Sequence, residues 1–285
     1  MIKTLQIREK ENLELMIEYA SLAGYKDISL GFESSEDTLL LRDDYKKELE
    51  KICKLLDKYN LNCIQTHLPA VYHLLVSSEE VNERLETAIK RGIEASAILG
   101  AKWTAFHPRT AINDGYNRKI SCEHNKKFLT EYLEDAEKYG VGIAVENMPL
   151  YPQNNPEYRF FGGGYEELVD LCDDFKSDKI GICWDFGHAH TAAIDQVKAL
   201  RYIGERLKIT HVHDNFKNGD HHILPLLGGL EWGCIDWEKV MPVLKEINYN
   251  GPLTLEILFP QDSMLKSFIK TSHDCLSCLI EYSKN

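Results

Sequence analysis

The chain has 285 residues, of which 44% are hydrophobic and 27% charged, and carries a formal net charge of −12. This length suits an α/β barrel and can bury a large core without disulfides or a structural metal. The acidity argues against loose binding to nucleic acid or anionic membrane, and no apolar stretch nears the roughly 20 residues that span a bilayer.

Eight strand–helix units follow in chain order. Ile2 to Ile7 reads as a weak first strand, with a helix near Asn12 to Ala23. Asp27 to Phe32 is a second strand, then a helix near Tyr45 to Tyr59. Asn62 to His67 is a third, followed by a helix near Glu79 to Leu99 that Gly100 caps. Lys102 to His107 is a fourth, its helix near Cys122 to Tyr139 closed by Gly140. Val141 to Glu146 precedes a helix near Tyr165 to Phe175, and Lys179 to Asp185 one near Ala192 to Tyr202. Leu207 to His211 precedes a helix near Trp237 to Ile247, and Pro252 to Glu256 a last helix reaching Tyr282. Nearly continuous apolar strands, each followed by a helix, predict a parallel sheet covered by helices, and eight units predict a closed (β/α)8 TIM barrel. No GxGxxG follows the first strand, as an open dinucleotide-binding sheet would favour. No linker-like stretch interrupts the chain, so residues 1–285 are expected to form one domain.

The N-terminus lacks the apolar core of a signal peptide, and eight scattered cysteines read as free thiols, so a cytoplasmic protein is expected. Cys275 and Cys278 form a lone CxxC without a second pair, a weak basis for metal or redox chemistry.

Six of the strands run into a residue that can hold a metal: His67, His107, Glu146, Asp185, His211 and Glu256. A barrel gathers its strand ends around one axis, so these residues are expected to converge. Strand alternation places His211 and His213 on one face. Asp185 and His188 stand three apart across Gly187, which permits a tight turn, and Asp220, His221 and His222 follow in a loop. Carboxylates and imidazoles without a thiolate suit Mn2+ or Zn2+ foremost, with Mg2+, Co2+ and Fe2+ open. Glu146, Asp185, His211 and Glu256 form the expected core site. A strand-closing acid can also simply cap the next helix. His73, His124 and His273 read as structural, with His190 and His221 intermediate.

Thr66-His67-Leu68-Pro69, Phe106-His107-Pro108, Glu146-Asn147-Met148-Pro149, Asp185-Phe186-Gly187-His188, His211-Val212-His213-Asp214-Asn215, Asp220-His221-His222 and Leu255-Glu256-Ile257 occur in this order. Together they resemble the xylose isomerase-like barrel superfamily, which holds sugar isomerases and epimerases and also endonuclease IV. In the isomerase branch, the resemblance implies one divalent metal on Glu146, Asp185, His211 and Glu256, with His188 touching substrate. In the endonuclease branch it implies three zincs, the added ligands being His67, His107, His188, Asp220 and His222. The glycine-rich opening segment of that branch is absent here.

The expected reaction is sugar or sugar-phosphate isomerisation or epimerisation by proton transfer, with a cation stabilising the enediolate. The resemblance implies Glu146 and Glu256 as the candidate base and acid. His188 and His213 are candidate substrate contacts, and Arg109 and Arg159 could grip a phosphate or carboxylate. The alternatives are a multi-zinc phosphodiesterase, a related dehydratase that loses hydroxide after the same proton abstraction, and a non-enzymatic binding protein. The expected partner is a small sugar or sugar phosphate. Nucleic acid and membrane are disfavoured, and homo-oligomerisation is left open. Two long connections, Met148 to Gly164 and Val212 to Asp236, read as lids, the first with Tyr151, Tyr158, Phe160 and Phe161 as faces for a sugar ring.

Overall fold

The computed structural model describes residues 1–34, 37–70, 79–111, 116–150, 159–216 and 219–284. Eight parallel strands close into a barrel, each bonded to the next and β1 to β8. The strands are β1 (Ile2–Arg8), β2 (Asp27–Gly31), β3 (Asn62–His67), β4 (Trp103–Phe106), β5 (Gly142–Glu146), β6 (Ile180–Asp185), β7 (Leu207–Val212) and β8 (Pro252–Leu255). Around them lie α1 (Leu13–Ala23), α2 (Tyr45–Tyr59), α3 (Glu79–Leu99), α4 (Arg118–Tyr139), α5 (Tyr165–Asp173), α6 (Phe186–Thr191), α7 (Gln196–Ile203), α8 (Trp237–Glu246) and α9 (Asp262–Tyr282). Among the described residues, no helix is long and apolar enough to cross a membrane.

Local chemistry explains the elements. α2 buries Tyr45, Leu49, Ile52 and Leu56, a stripe at helical spacing. Asn12 caps α1 by accepting from Leu15 N, and Asp236 caps α8 by accepting from Lys239 N. Gly140 ends α4 in the left-handed conformation at φ 75°, where only glycine is unstrained.

The strands alternate more than the sequence reading expected. Leu5 and Ile7 of β1 pack among the buried core residues, while Thr4 and Gln6 turn into the barrel. There, Thr254 Oγ1 donates to Gln65 Oε1 at 2.8 Å, and Ser29 Oγ donates to Gln6 Oε1 at 3.3 Å. On the opposite side, Ala105, Ala144, Cys183 and Ile209 form a small apolar cluster against Trp103. The interior is thus partly polar beneath the mouth, because its amides and hydroxyls bond one another.

After β6 the expected single helix near Ala192 to Tyr202 is replaced by two. α6 starts directly at the strand end, because the Asp185 side chain accepts from His188 N and caps it. α7 then starts from its own cap, Asp195.

A candidate metal centre at the mouth of the barrel

His67, Glu146 and Asp185 end β3, β5 and β6, His107 and Glu256 follow β4 and β8, and His211 is the penultimate residue of β7. They converge as expected. Donor atoms of Glu146, Asp185, His211 and Glu256 lie within 4.8 Å of one another, as do those of His67, Glu146 and His211. A third group joins His188, His213, Asp220 and His222 under the same limit. His211 Nδ1 stands between two carboxylates, 3.0 Å from Glu146 Oε1 and 3.1 Å from Glu256 Oε2, with Asp185 Oδ2 at 3.8 Å. Glu146 Oε2 lies 3.2 Å from Nε2 of both His67 and His107. His188 Nε2 and His222 Nε2 meet at Asp220 Oδ2, at 3.2 Å and 3.0 Å.

Backbone carbonyls orient these rings. His67 Nδ1–H donates to Leu68 O, His188 Nδ1–H to Asn147 O and His222 Nδ1–H to Glu256 O. A neutral histidine so held presents a bare Nε2. Each bare nitrogen here faces a carboxylate oxygen, and Glu146 Oε2 has no hydrogen bond of its own. Lone pairs opposed at this range repel unless a proton or a cation lies between them. The residues therefore fit a divalent cation, and in its absence protons do the same work. Burial opposes charge on His211, yet Cys183, Glu146 and Glu256 hold its pKa well above the usual range. Burial likewise opposes charge on His188, and Asp185 and Asp220 overcome it. Burial raises the Glu256 carboxyl, but His211 and His222 outweigh it and bring it to about 2. Burial alone dominates at His107 and lowers its pKa.

A cavity of about 250 Å³ opens above the cluster, lined by His67, His107, Glu146, His188, Asp220, His222 and Glu256. The loop after β7 supplies Asp220 and His222. It is tied down by an antiparallel bridge between Asp214 and Ile223 and by Leu258 N donating to His222 O. His222 adopts φ 47°, a strained conformation for a residue with a Cβ, and sits where it can complete the third group.

Other expectations are corrected. Arg109 does not reach the cavity: its guanidinium is buried, donating to Glu86 Oε1 at 2.6 Å and Tyr132 Oη at 2.8 Å over the Phe128 ring. Its place directly after His107-Pro108, beyond the end of β4, carries it outward, between α3 and α4. Arg159 pairs with Glu167 at 2.9 Å beside the Tyr116 ring. His213 is fully buried, stacked on His222, with Nε2 3.1 Å from Asp185, so it braces a carboxylate instead of lining the cavity. Gly187 shows no positive φ; a Cβ there would meet the His213 ring at 1.9 Å, so the glycine admits the imidazole instead of enabling a turn. Phe161 is buried and unavailable to a sugar, while Tyr151, Tyr158 and His73 lie outside the described residues. His124 is exposed, His273 packs edge-on to Tyr25, His190 bonds Gly233 O, and His221 packs against Phe216. Cys275 donates to Pro225 O.

Three residues escaped the sequence reading. Gln6 Nε2 donates to Glu256 Oε1 at 2.7 Å. Arg8 lines the cavity with Phe32, Glu33 and Ser34. Asn147 clamps β5 to β6, accepting from Asp185 N at 2.6 Å and donating to Asp185 O at 2.8 Å. Alternation in β1 was the available signal for Gln6 and Arg8, since both share the face of Thr4.

Fold and site together define a (β/α)8 barrel with a carboxylate–histidine cluster at its mouth that could hold a metal. The chain belongs to the xylose isomerase-like TIM barrel family, whose family model matches residues 17–269. An inosose isomerase of Bacillus velezensis is 24% identical over 288 residues, covering 95% of this chain and 93% of its own. The structure of a D-tagatose 3-epimerase-like protein aligns with a TM-score of 0.76 at 22% identity, over 100% of this chain and 98% of that one. That of an IOLI protein with a bound zinc atom aligns at 0.72 and 18% identity, over 98% of each chain. At these identities the two structures support the fold alone. By sequence the chain is related to isomerases and epimerases.

Proposed function

We propose that residues 1–285 form one catalytic domain, a divalent-metal-dependent sugar or sugar-phosphate isomerase or epimerase. The observation that carries this reading is the pair of carboxylates, Glu146 and Glu256, flanking His211 at the floor of a small cavity. Glu146, Asp185, His211 and Glu256 would hold the ion. When bound, a divalent cation, Mn2+ or Zn2+ by the donor set, supplies positive charge against the substrate carbonyl and its neighbouring hydroxyl. One carboxylate removes the proton beside the carbonyl and the other returns a proton to the adjacent carbon or the opposite face. Gln6 keeps one oxygen of Glu256 in place during this exchange. His188, oriented by Asn147 O, holds a substrate hydroxyl at the cavity wall.

The test follows proton exchange. Metal-loaded protein is incubated with ketoses, ketose phosphates and inososes in deuterated water, and deuterium at the carbon beside the carbonyl is read by NMR. A substrate that exchanges, with Glu256→Gln slowing exchange by about a thousandfold, supports the reading. Full activity of Glu146→Gln on that substrate would falsify the role of Glu146. Net loss of water in the same spectra would identify a dehydratase.

A second reading, a multi-metal phosphodiesterase, draws support from the two flanking groups, His67–His107–Glu146 and His188–Asp220–His222. Clustered cations can activate water and neutralise a leaving oxygen. Cleavage of an abasic-site duplex that His67→Ala abolishes would favour it.

A further inference from the structure

The wall of the cavity away from Glu146 and Glu256 is formed by the ends of β1 and β2, and among the described residues that line it Arg8 stands beside Glu33 as the one lysine or arginine. Arg8 is two residues beyond Gln6 on β1, so its side chain shares the inward face and lies about 7 Å further toward the mouth. It is half-buried and lines the cavity with Ser34. Its register partner on β2 is Gly31, which leaves that floor without a side chain: Arg8 Cγ lies 3.8 Å from the position of a Cβ there.

The guanidinium of Arg8 enters no ion pair and no side-chain hydrogen bond among the described residues. Arg109, Arg118, Arg159, Arg201 and Arg206 each hold a carboxylate. Among the acids nearest Arg8, Glu11 lies close enough for the arginine's charge to counter the rise that burial gives its carboxyl, and none forms an ion pair with the guanidinium among the described residues. Glu9 Oε1 accepts from Glu33 N, Glu11 Oε2 accepts from the Arg8 backbone N–H, and Glu33 Oε2 lies 3.6 Å from Lys10 Nζ. A planar fork with five donors thus lines an acidic cavity, with Glu33 beside it and Glu146, Asp220 and Glu256 also in the lining.

Resting on the reading of this cavity as a sugar site, we infer that Arg8, with Ser34, grips an anionic group, phosphate or carboxylate, at the substrate end remote from Glu146 and Glu256. An open-chain sugar bridges the span between the Gln6–Glu256 contact and the Arg8 guanidinium, so the carbonyl end meets the acids while the anion meets the arginine. Bidentate guanidinium contacts are the strong form of such recognition. Arg8 takes the role that the sequence suggested for Arg109 and Arg159.

The experiment is titration calorimetry on the metal-loaded chain with D-fructose, D-fructose 6-phosphate and a hexuronate, repeated on Arg8→Gln and Arg8→Lys. The charged sugar is expected to bind at least about tenfold tighter than the neutral one. Arg8→Gln erases that advantage, and Arg8→Lys, which keeps the charge, restores part of it. Whether phosphate or uronate gains more identifies the anion. Equal binding of neutral and charged sugars, an advantage that survives Arg8→Gln, or equal losses in both variants overturns the inference. Proton exchange on a neutral ketose without an anion preference leaves the isomerase reading standing and removes Arg8. Arg8-dependent binding of the phosphate without exchange on any sugar does the reverse.

Discussion

The side-chain amide of Gln6 donates a 2.7 Å hydrogen bond to Oε1 of Glu256, while Oε2 of the same carboxylate lies 3.1 Å from His211 Nδ1. The first strand thereby sets the orientation of an acid carried by the last, across the seam that closes the barrel. A hydrogen bond to a charged group is worth about 1.5–3 kcal/mol, so Gln6→Leu is expected to slow proton exchange by about tenfold or more while metal content stays near wild type. Rate and elemental analysis read the two effects separately. An unchanged exchange rate would show that Glu256 needs no support from β1.

Core and flanking residues should differ in metal retention. Asp185 is fully buried between Asn147, His188 and His213 and belongs to the four-residue core group. Asp185→Asn is expected to yield protein that loses its divalent ion on dialysis, whereas His107→Ala keeps it. Elemental analysis after dialysis decides. Loss of the ion in both variants would mean that the cluster binds as a single unit.

Protons and cations compete for the same nitrogens. Burial disfavours charge on His222, but the hydrogen bond its Nε2–H donates to Asp220 and the charges of Glu256 and Asp220 raise its pKa to about 9. A folded-state pKa above the ordinary 6.5 contributes stability that is complete below about pH 6.5 and is lost as pH rises through about 9. A cation held by the group of His188, Asp220 and His222 would displace that proton, so affinity at that group should rise across the same window. The Tm of metal-free protein is therefore expected to fall from pH 6.5 to 9 more than that of loaded protein. Thermal melts with and without chelator measure the gap, and a gap independent of pH contradicts the assignment.

The contact between Gly187 and His213 leaves no room for a methyl group. The ring cannot retreat easily, because it stacks on His222 at 4.1 Å and is bonded to Asp185. Gly187→Ala is expected to destabilise the fold by about 3 kcal/mol, lowering Tm by roughly 6–12 °C. Denaturant unfolding provides the number, and a loss below about 0.5 kcal/mol would mean that the ring relocates freely.

Much of this site was legible in the chain because most of the candidate ligands are marked by their own strands. The run from Val141 to Glu146 announces both a buried β5 and a carboxylate at its end, and the runs before Asp185 and His211 do the same. Asp220 and His222 were legible by motif, although the strained backbone at His222 was not. Gln6 went unnoticed because an amide in a short first strand looks like any polar residue until its partner on β8 is known. Arg109 misled for the converse reason. It follows the candidate ligand His107 by two residues, and sequence proximity to a site says nothing about which side of the strand end the chain leaves from.

Repeated apolar runs and helical spacing are local properties, and they alone determined the eight-unit barrel and the ring of acids and histidines at its mouth. Register and direction belong to the closed sheet. Only closure places Gln6 beside Glu256, turns Arg109 outward and Arg8 inward, and sets His213 behind Asp185, because each of those facts depends on strands far apart in sequence meeting at one fixed stagger.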